Sequence, residues 1–182
     1  DADLTWVYAN HRRWLQYFQW KAPAERWVLK SPGHLWALDA LLTVYPDARI
    51  VQTHRDPVKV AASLVSLICT LRSMATDQID PHEIGLDWTT RLARGLEHTV
   101  DVRDRLLLPA EQVFDVQFPE FMRDEIGTVQ RIYRHFGLTL TSDAEARMRR
   151  FLADNRVDKH GRHTYRLALG GLDEATERRR FR

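Results

Sequence analysis

Apolar residues recur at mostly three- and four-residue spacing from the first turn of the chain, at Leu4, Val7, Tyr8, Trp14, Leu15 and Phe18, and that period predicts a helix. A polar turn around Pro23 follows. Trp27-Val28-Leu29 is then a short apolar run ending in Lys30-Ser31-Pro32-Gly33, which reads as a buried strand with a lysine at its C-terminal end. Leu35, Leu38, Leu41 and Leu42 restore helical spacing between His34 and Tyr45, and Pro46 stops it. Arg49 to Arg55 predicts a second strand. Asp56-Pro57 opens the next helix, the carboxylate placed to cap it and the proline at the position where a missing N–H costs nothing. Val60, Leu64, Leu67, Ile68 and Leu71 continue that helix.

Beyond it, residues 75 to 86 are polar and broken by Pro81 and Gly85, which predicts a surface crossing. A long amphipathic helix is expected from Leu86 to about Leu108, ended by Pro109. Val113 to Phe118 alternates at period two and predicts a third strand. Helical spacing returns from Pro119 to Phe136, with Gly137 as its stop. A further helix starts after Thr141 or Ser142, where Glu145 three residues past Ser142 fits a capping box. The last helical pattern runs from Leu172 to Phe181. Short strands alternating with helices predict an α/β fold with a parallel sheet flanked by helices, and ligands of such sheets sit beyond the C-terminal strand ends. Lys30 and Arg55 are both expected at such ends.

Composition narrows the class. With 182 residues, 44% of them hydrophobic, the chain has enough apolar side chain for one core, and residues 1–182 are expected to form a single domain. One cysteine rules out a disulfide scaffold, and the apolar packing around it predicts a buried Cys69 rather than a nucleophile. No apolar run is long enough to cross a membrane, so a cytoplasmic location is expected. The net charge of +2 hides an asymmetry: residues 149 to 182 carry 10 basic and 5 acidic groups, against 17 and 20 before them. A basic end can hold polyanions, but a small phosphorylated ligand needs only two or three of these groups, so nucleic acid is not the expected partner. The six tryptophans, five of them within the first 36 residues, are expected in the core or under a cover supplied by an upstream segment.

Arg55 offers a planar fork of donors at a strand end, and Ser63 follows eight residues later inside the next helix, so the two can grip one phosphate. The plainer alternative pairs Arg55 with a carboxylate such as Asp56. Lys30 can aim a positive charge into a crevice or simply close a strand in solvent. His34, near a helix start, can act as a base or cap and pack. Eight dispersed histidines show none of the spacings that bind metal, so no metal site is expected. Around residue 160, Lys159, Arg162 and Arg166 can reach a phosphate, Gly161 permits close backbone approach, and Tyr165 can pack on a base or on protein.

Taken in order, Trp27 to Leu35 with Lys30-Ser31-Pro32-Gly33-His34, Tyr45 to Pro57 with Ser63, Phe114-Asp115-Val116, Ile132 to Leu138 and Lys159 to Tyr165 resemble the sulfotransferases that use 3'-phosphoadenosine 5'-phosphosulfate (PAPS). The resemblance runs over nearly the whole chain and is closest to the large bacterial group. It implies a P-loop-like fold and transfer of a sulfuryl group to a hydroxyl or amine of a small-molecule, lipid or carbohydrate acceptor. It further implies that Arg55 and Ser63 hold the 3'-phosphate of PAPS or of its product 3'-phosphoadenosine 5'-phosphate (PAP), and that Lys30 meets the transferring group. His34 stands as the candidate base, and Lys159, Gly161 and Arg162 belong to a late loop around the donor. Family members open with a strand and a glycine-rich loop around the 5'-phosphosulfate. No such loop is found among the eight glycines here, so the chain is expected to be an N-terminally incomplete portion that needs upstream sequence for activity. Two alternatives stay open on the sequence: a noncatalytic nucleotide- or protein-binding relative, and a polyanion binder acting through the basic tail.

Overall fold

The computed structural model describes residues 3–155 and 165–182. The chain divides into two compact units, Asp1–Ala48 with Arg94–Leu108, and Arg49–Ala93 with Pro109–Arg182. Lys159, Gly161 and Arg162, expected around the donor, lie outside the described residues.

In the first unit, α1 (Thr5–Lys21) packs on α2 (Leu38–Val44) through Tyr8, Ala37 and Ala40, with Leu4, Leu41, Val44 and Tyr45 around them. The helix expected from His34 to Tyr45 is split. Ser31 caps a 3-10 turn, Pro32–Trp36, by accepting from the Gly33 N–H, and α2 begins only after Ala37. The last turns of α4 (Pro81–Arg105) belong to this unit, where the Thr99 hydroxyl donates to the Leu35 carbonyl at 3.1 Å.

One expectation fails here. Residues 27–29 are not a buried strand: they lie outside any strand, and Val28 is 91% exposed. Lys30 therefore does not end a strand. Among the described residues no strand pairs with this run, and without a neighbouring ladder its backbone groups are left to water. Of the six tryptophans, Trp6, Trp14, Trp20 and Trp27 are exposed and lie outside the core of the described residues, which leaves the cover as the part of that expectation that still applies to them.

The second unit holds the sheet, in which β1 (Ile50–His54) pairs in parallel with β2 (Val113–Gln117), from Ile50 opposite Val113 to His54 opposite Gln117. The helix following β1 is α3 (Pro57–Ser73), which starts as the sequence indicates, with the Asp56 side chain accepting from the Val58 N–H and Pro57 in the first turn. Val58, Ala61, Ala62 and Val65 form its buried stripe. Cys69, also on α3, is only partly buried.

Helix α4 starts at Pro81, so the surface crossing expected up to residue 86 is shorter than that. Asp80 accepts from the His82 N–H at 2.9 Å, an Asp-Pro start like that of α3. The helix expected from Pro119 to Phe136 is two, α5 (Phe118–Phe121) and α6 (Glu125–His135), because Asp124 caps the second by accepting from the Gly127 N–H. Gly137, with φ +61°, ends α6. α7 (Ser142–Asp154) is capped by Thr141 rather than Ser142, and Glu145 binds Gln130 and Arg149 instead of closing a capping box. Chain from a 3-10 turn at Leu167–Gly170 leads into α8 (Glu174–Arg180), and both pack on α3.

Candidate active site

Arg55 leaves the C-terminal end of β1 one residue before the Asp56 cap, so the strand and the start of α3 fix its backbone on both sides. Its side chain is exposed but held: an Arg55 Nη2 N–H donates to the Tyr165 hydroxyl at 2.7 Å, and the guanidinium lies 4.7 Å from the centre of the Phe118 ring. The alternative pairing with Asp56 is not what the structure contains. Asp56 caps α3 and accepts from Arg178 at 3.4 Å. Burial pushes the Asp56 carboxyl up, but the Val58 N–H and the Arg178 charge outweigh it and hold the group below the usual carboxylate range. Asp56 thus stays ionised and is engaged away from Arg55. Ser63 is half-buried on the second turn of α3.

Beside this arginine, at the same C-terminal end of the sheet, His54 Nε2 sits 2.6 Å from an Asp115 carboxylate oxygen. Sequence reasoning passed over that pair, and over Phe118. It did single out Tyr165, though not its contact with Arg55 across 110 residues of chain.

In the first unit, Lys30 and His34 line one open pocket of about 380 Å³, with Leu4, Val7, Tyr8 and Leu29 among the other walls. The Ser31 cap and Pro32 set this spacing by turning the chain into a 3-10 helix directly after Lys30. His34 Nδ1 lies 2.8 Å from the Tyr8 hydroxyl. Burial, then the neighbouring His11, lowers the His34 pKa below 6.5, so the ring is neutral at physiological pH. Tyr8 is raised, first by burial and then by Asp39 and Tyr45, and remains a phenol. Lys30 itself is exposed. The pocket therefore combines one cation, one neutral imidazole and apolar walls.

Residues 2–143 match the sequence profile of the sulfotransferase family. The chain belongs to that family. Solved sulfotransferases share its fold: STF1 from Mycobacterium tuberculosis H37Rv is 37% identical, with a TM-score of 0.80 over 99% of this chain, and STF9 from Mycobacterium avium is 34% identical, with a TM-score of 0.88 over 100% of it. In each case the match covers 46% of the solved chain. Among curated proteins, the omega-hydroxy-beta-dihydromenaquinone-9 sulfotransferases Stf3 of Mycobacterium bovis and M. tuberculosis are 26% identical over 136 residues, 70% of this chain and 33% of theirs. The chain thus spans about a third of the curated relatives and less than half of the solved structures. Like the solved members of that family, it has the mixed helix and strand architecture with a parallel sheet that the sequence predicts. Among its described residues no helix is long and apolar enough to cross a membrane.

Proposed function

We propose that this chain carries the 3'-phosphate and acceptor sites of a PAPS-dependent sulfotransferase, with Arg55 and Ser63 on the 3'-phosphate and Lys30 and His34 at the transferring group. The observation that carries this reading is the clamp on Arg55. A guanidinium fixed by a phenol and an aromatic face at the C-terminal end of a parallel strand is suited to a phosphate, and the carboxylate next to it is engaged elsewhere. Lys159, Gly161 and Arg162 are assigned to the same nucleotide.

The bound donor supplies an activated sulfuryl group whose bond to a bridging phosphate oxygen breaks as the acceptor oxygen attacks sulfur. Toward that reaction His34 takes the acceptor's hydroxyl proton, for which a neutral ring is required. The Lys30 ammonium stabilises negative charge on the departing oxygen without a metal. Leu4, Val7 and Leu29 give the pocket apolar walls, which supports an alcohol with a hydrophobic body as the acceptor. The omega-hydroxylated menaquinone derivative named for the mycobacterial relatives is of that class.

Calorimetric titration of the full chain with 3',5'-adenosine bisphosphate tests the reading. Saturable one-to-one binding that is largely lost in Arg55→Ala and persists in Lys30→Ala is the expected result. Binding to polyanions alone, falling steeply with salt and indifferent to the nucleotide, would instead identify the basic tail as the functional surface.

A further inference from the structure

His34 enters the pocket with one ring nitrogen already engaged. Tyr8, buried on α1, places its hydroxyl 2.8 Å from Nδ1 of His34, with the two rings 5.8 Å apart. Tyr8 in turn meets the edge of His11 at 6.2 Å, and Nδ1 of His11 lies 2.8 Å from the Tyr45 hydroxyl. Two tyrosine–histidine pairs from α1, the 3-10 turn and the end of α2 therefore pack together. Among the described residues, the other charged groups near them are Lys30 on the pocket wall, Asp39 on α2 and Arg12 on α1, whose charge acts on Tyr45. Asp39 is occupied, with His98 Nε2 at 3.3 Å and Arg105 at 3.5 Å, so the partner of His34 is a neutral phenol rather than a carboxylate.

We propose that Tyr8 is the positioning residue for His34: its phenol oxygen accepts the Nδ1–H, holds the ring, and leaves the Nε2 lone pair facing the acceptor hydroxyl. This rests on the reading of His34 as the base given above. A histidine can take a proton at Nε2 only if its neutral form carries hydrogen on Nδ1, and that hydrogen needs a buried acceptor. The phenol provides one. Being uncharged, it draws the ring toward the imidazolium less than a carboxylate would, and burial with the nearby His11 keeps the resting ring neutral. When Nε2 takes the acceptor's proton, Nδ1–H still donates to Tyr8, so uptake breaks no hydrogen bond. Tyr8 is an orienting group and contacts no reacting atom.

Tyr8→Phe keeps the ring and removes only the hydroxyl. Nitrogen-detected NMR of the His34 ring in the full chain reads the result independently of turnover. In the wild type the neutral ring should carry its proton on Nδ1, and in Tyr8→Phe the titration midpoint should move to lower pH, because the imidazolium has lost an acceptor. With the acceptor at saturation, kcat should fall about tenfold, the equivalent of one hydrogen bond of about 1.4 kcal/mol, with KM for the donor unchanged. A wild-type neutral ring protonated on Nε2 would overturn the proposal, as would a midpoint in Tyr8→Phe that rises or stays. His34→Gln separates the two readings: unchanged turnover in that variant removes His34 as the base, while the NMR result still decides what Tyr8 does to the ring.

Discussion

Replacing Gly85 by alanine tests whether the C-terminal segment is docked as described. Gly85 lies inside α4, where an ordinary Gly→Ala change would stabilise the helix by about 1 kcal/mol. The carbon added here would overlap the Gly170 carbonyl oxygen and come within 2.9 Å of the Gly170 Cα, both backbone atoms that cannot rotate aside. Gly170 is buried and has little room to retreat, since a Cβ built on it would already lie 3.1 Å from Val65, itself 1% exposed. Overpacking of this kind costs about 1–3 kcal/mol, and its centre outweighs the helical gain, leaving a net loss of about 1 kcal/mol. For 182 residues that corresponds to a Tm lower by about 2–4 °C in calorimetry. The turn at Leu167–Gly170 lies between Tyr165, which holds Arg55, and Arg178, which holds Asp56, so the same substitution should weaken 3',5'-adenosine bisphosphate binding. A Tm that rises by the helical increment, with binding unchanged, would refute the close approach of α4 to this turn.

The clamp on Arg55 gives a second expectation. Tyr165→Phe should weaken the bisphosphate about fivefold by removing a hydrogen bond worth about 1 kcal/mol, and Phe118→Leu about two- to fivefold through loss of the cation–π contact, both read by calorimetry; two unchanged affinities would contradict it. For His34, whose folded pKa is depressed, the neutral ring contributes stability that is fully present above the unfolded value of about 6.5 and is lost as pH falls through the folded one. Thermal melts should therefore show a drop in Tm below pH 6.5 that is smaller in His34→Gln, and an equal drop in both would exclude the linkage. Glu177, 2% exposed, meets Arg180 Nε at 2.8 Å, and Arg180 also donates to the Thr90 hydroxyl at 3.1 Å. Arg180→Ala strands a buried carboxylate and should cost about 3–5 kcal/mol in urea unfolding. Glu177→Ala should cost less, because the partly exposed arginine can turn to water, and the reverse order would contradict the burial described.

Much of the second unit is legible in the sequence because its signals are local. Asp56-Pro57 carries both a cap and a first-turn proline, the Val113 to Gln117 run forms a strand that buries Val113 and Val116, and Gly137 marks a left-handed stop. The same Asp-Pro pair at Asp80-Pro81 was masked by the polar residues around it and by Gly85, which reads as a helix breaker but is required by the approach of Gly170. Trp27-Val28-Leu29 shows the limit of apolar runs: they report a capacity for burial, and burial needs a neighbour that the run does not encode. The site divides in the same way. Arg55 and His34 stand out by residue type and position, whereas Tyr165, 110 residues from Arg55, and Tyr8, 26 residues from His34, become partners only through tertiary packing.

The assignment of Arg55 to a 3'-phosphate is tested most directly by a thermodynamic cycle. Affinities of 3',5'-adenosine bisphosphate and of 5'-AMP, which lacks only the 3'-phosphate, are measured for the wild type and for Arg55→Ala. Charge-assisted hydrogen bonds of about 1.5–3 kcal/mol predict that the wild type prefers the bisphosphate by about 10- to 150-fold. Arg55→Ala should lose most of this preference, keeping only the few-fold part that a Ser63 hydrogen bond of about 1 kcal/mol supplies. If Arg55→Ala keeps the full preference, the 3'-phosphate is held elsewhere and the account of this site is wrong.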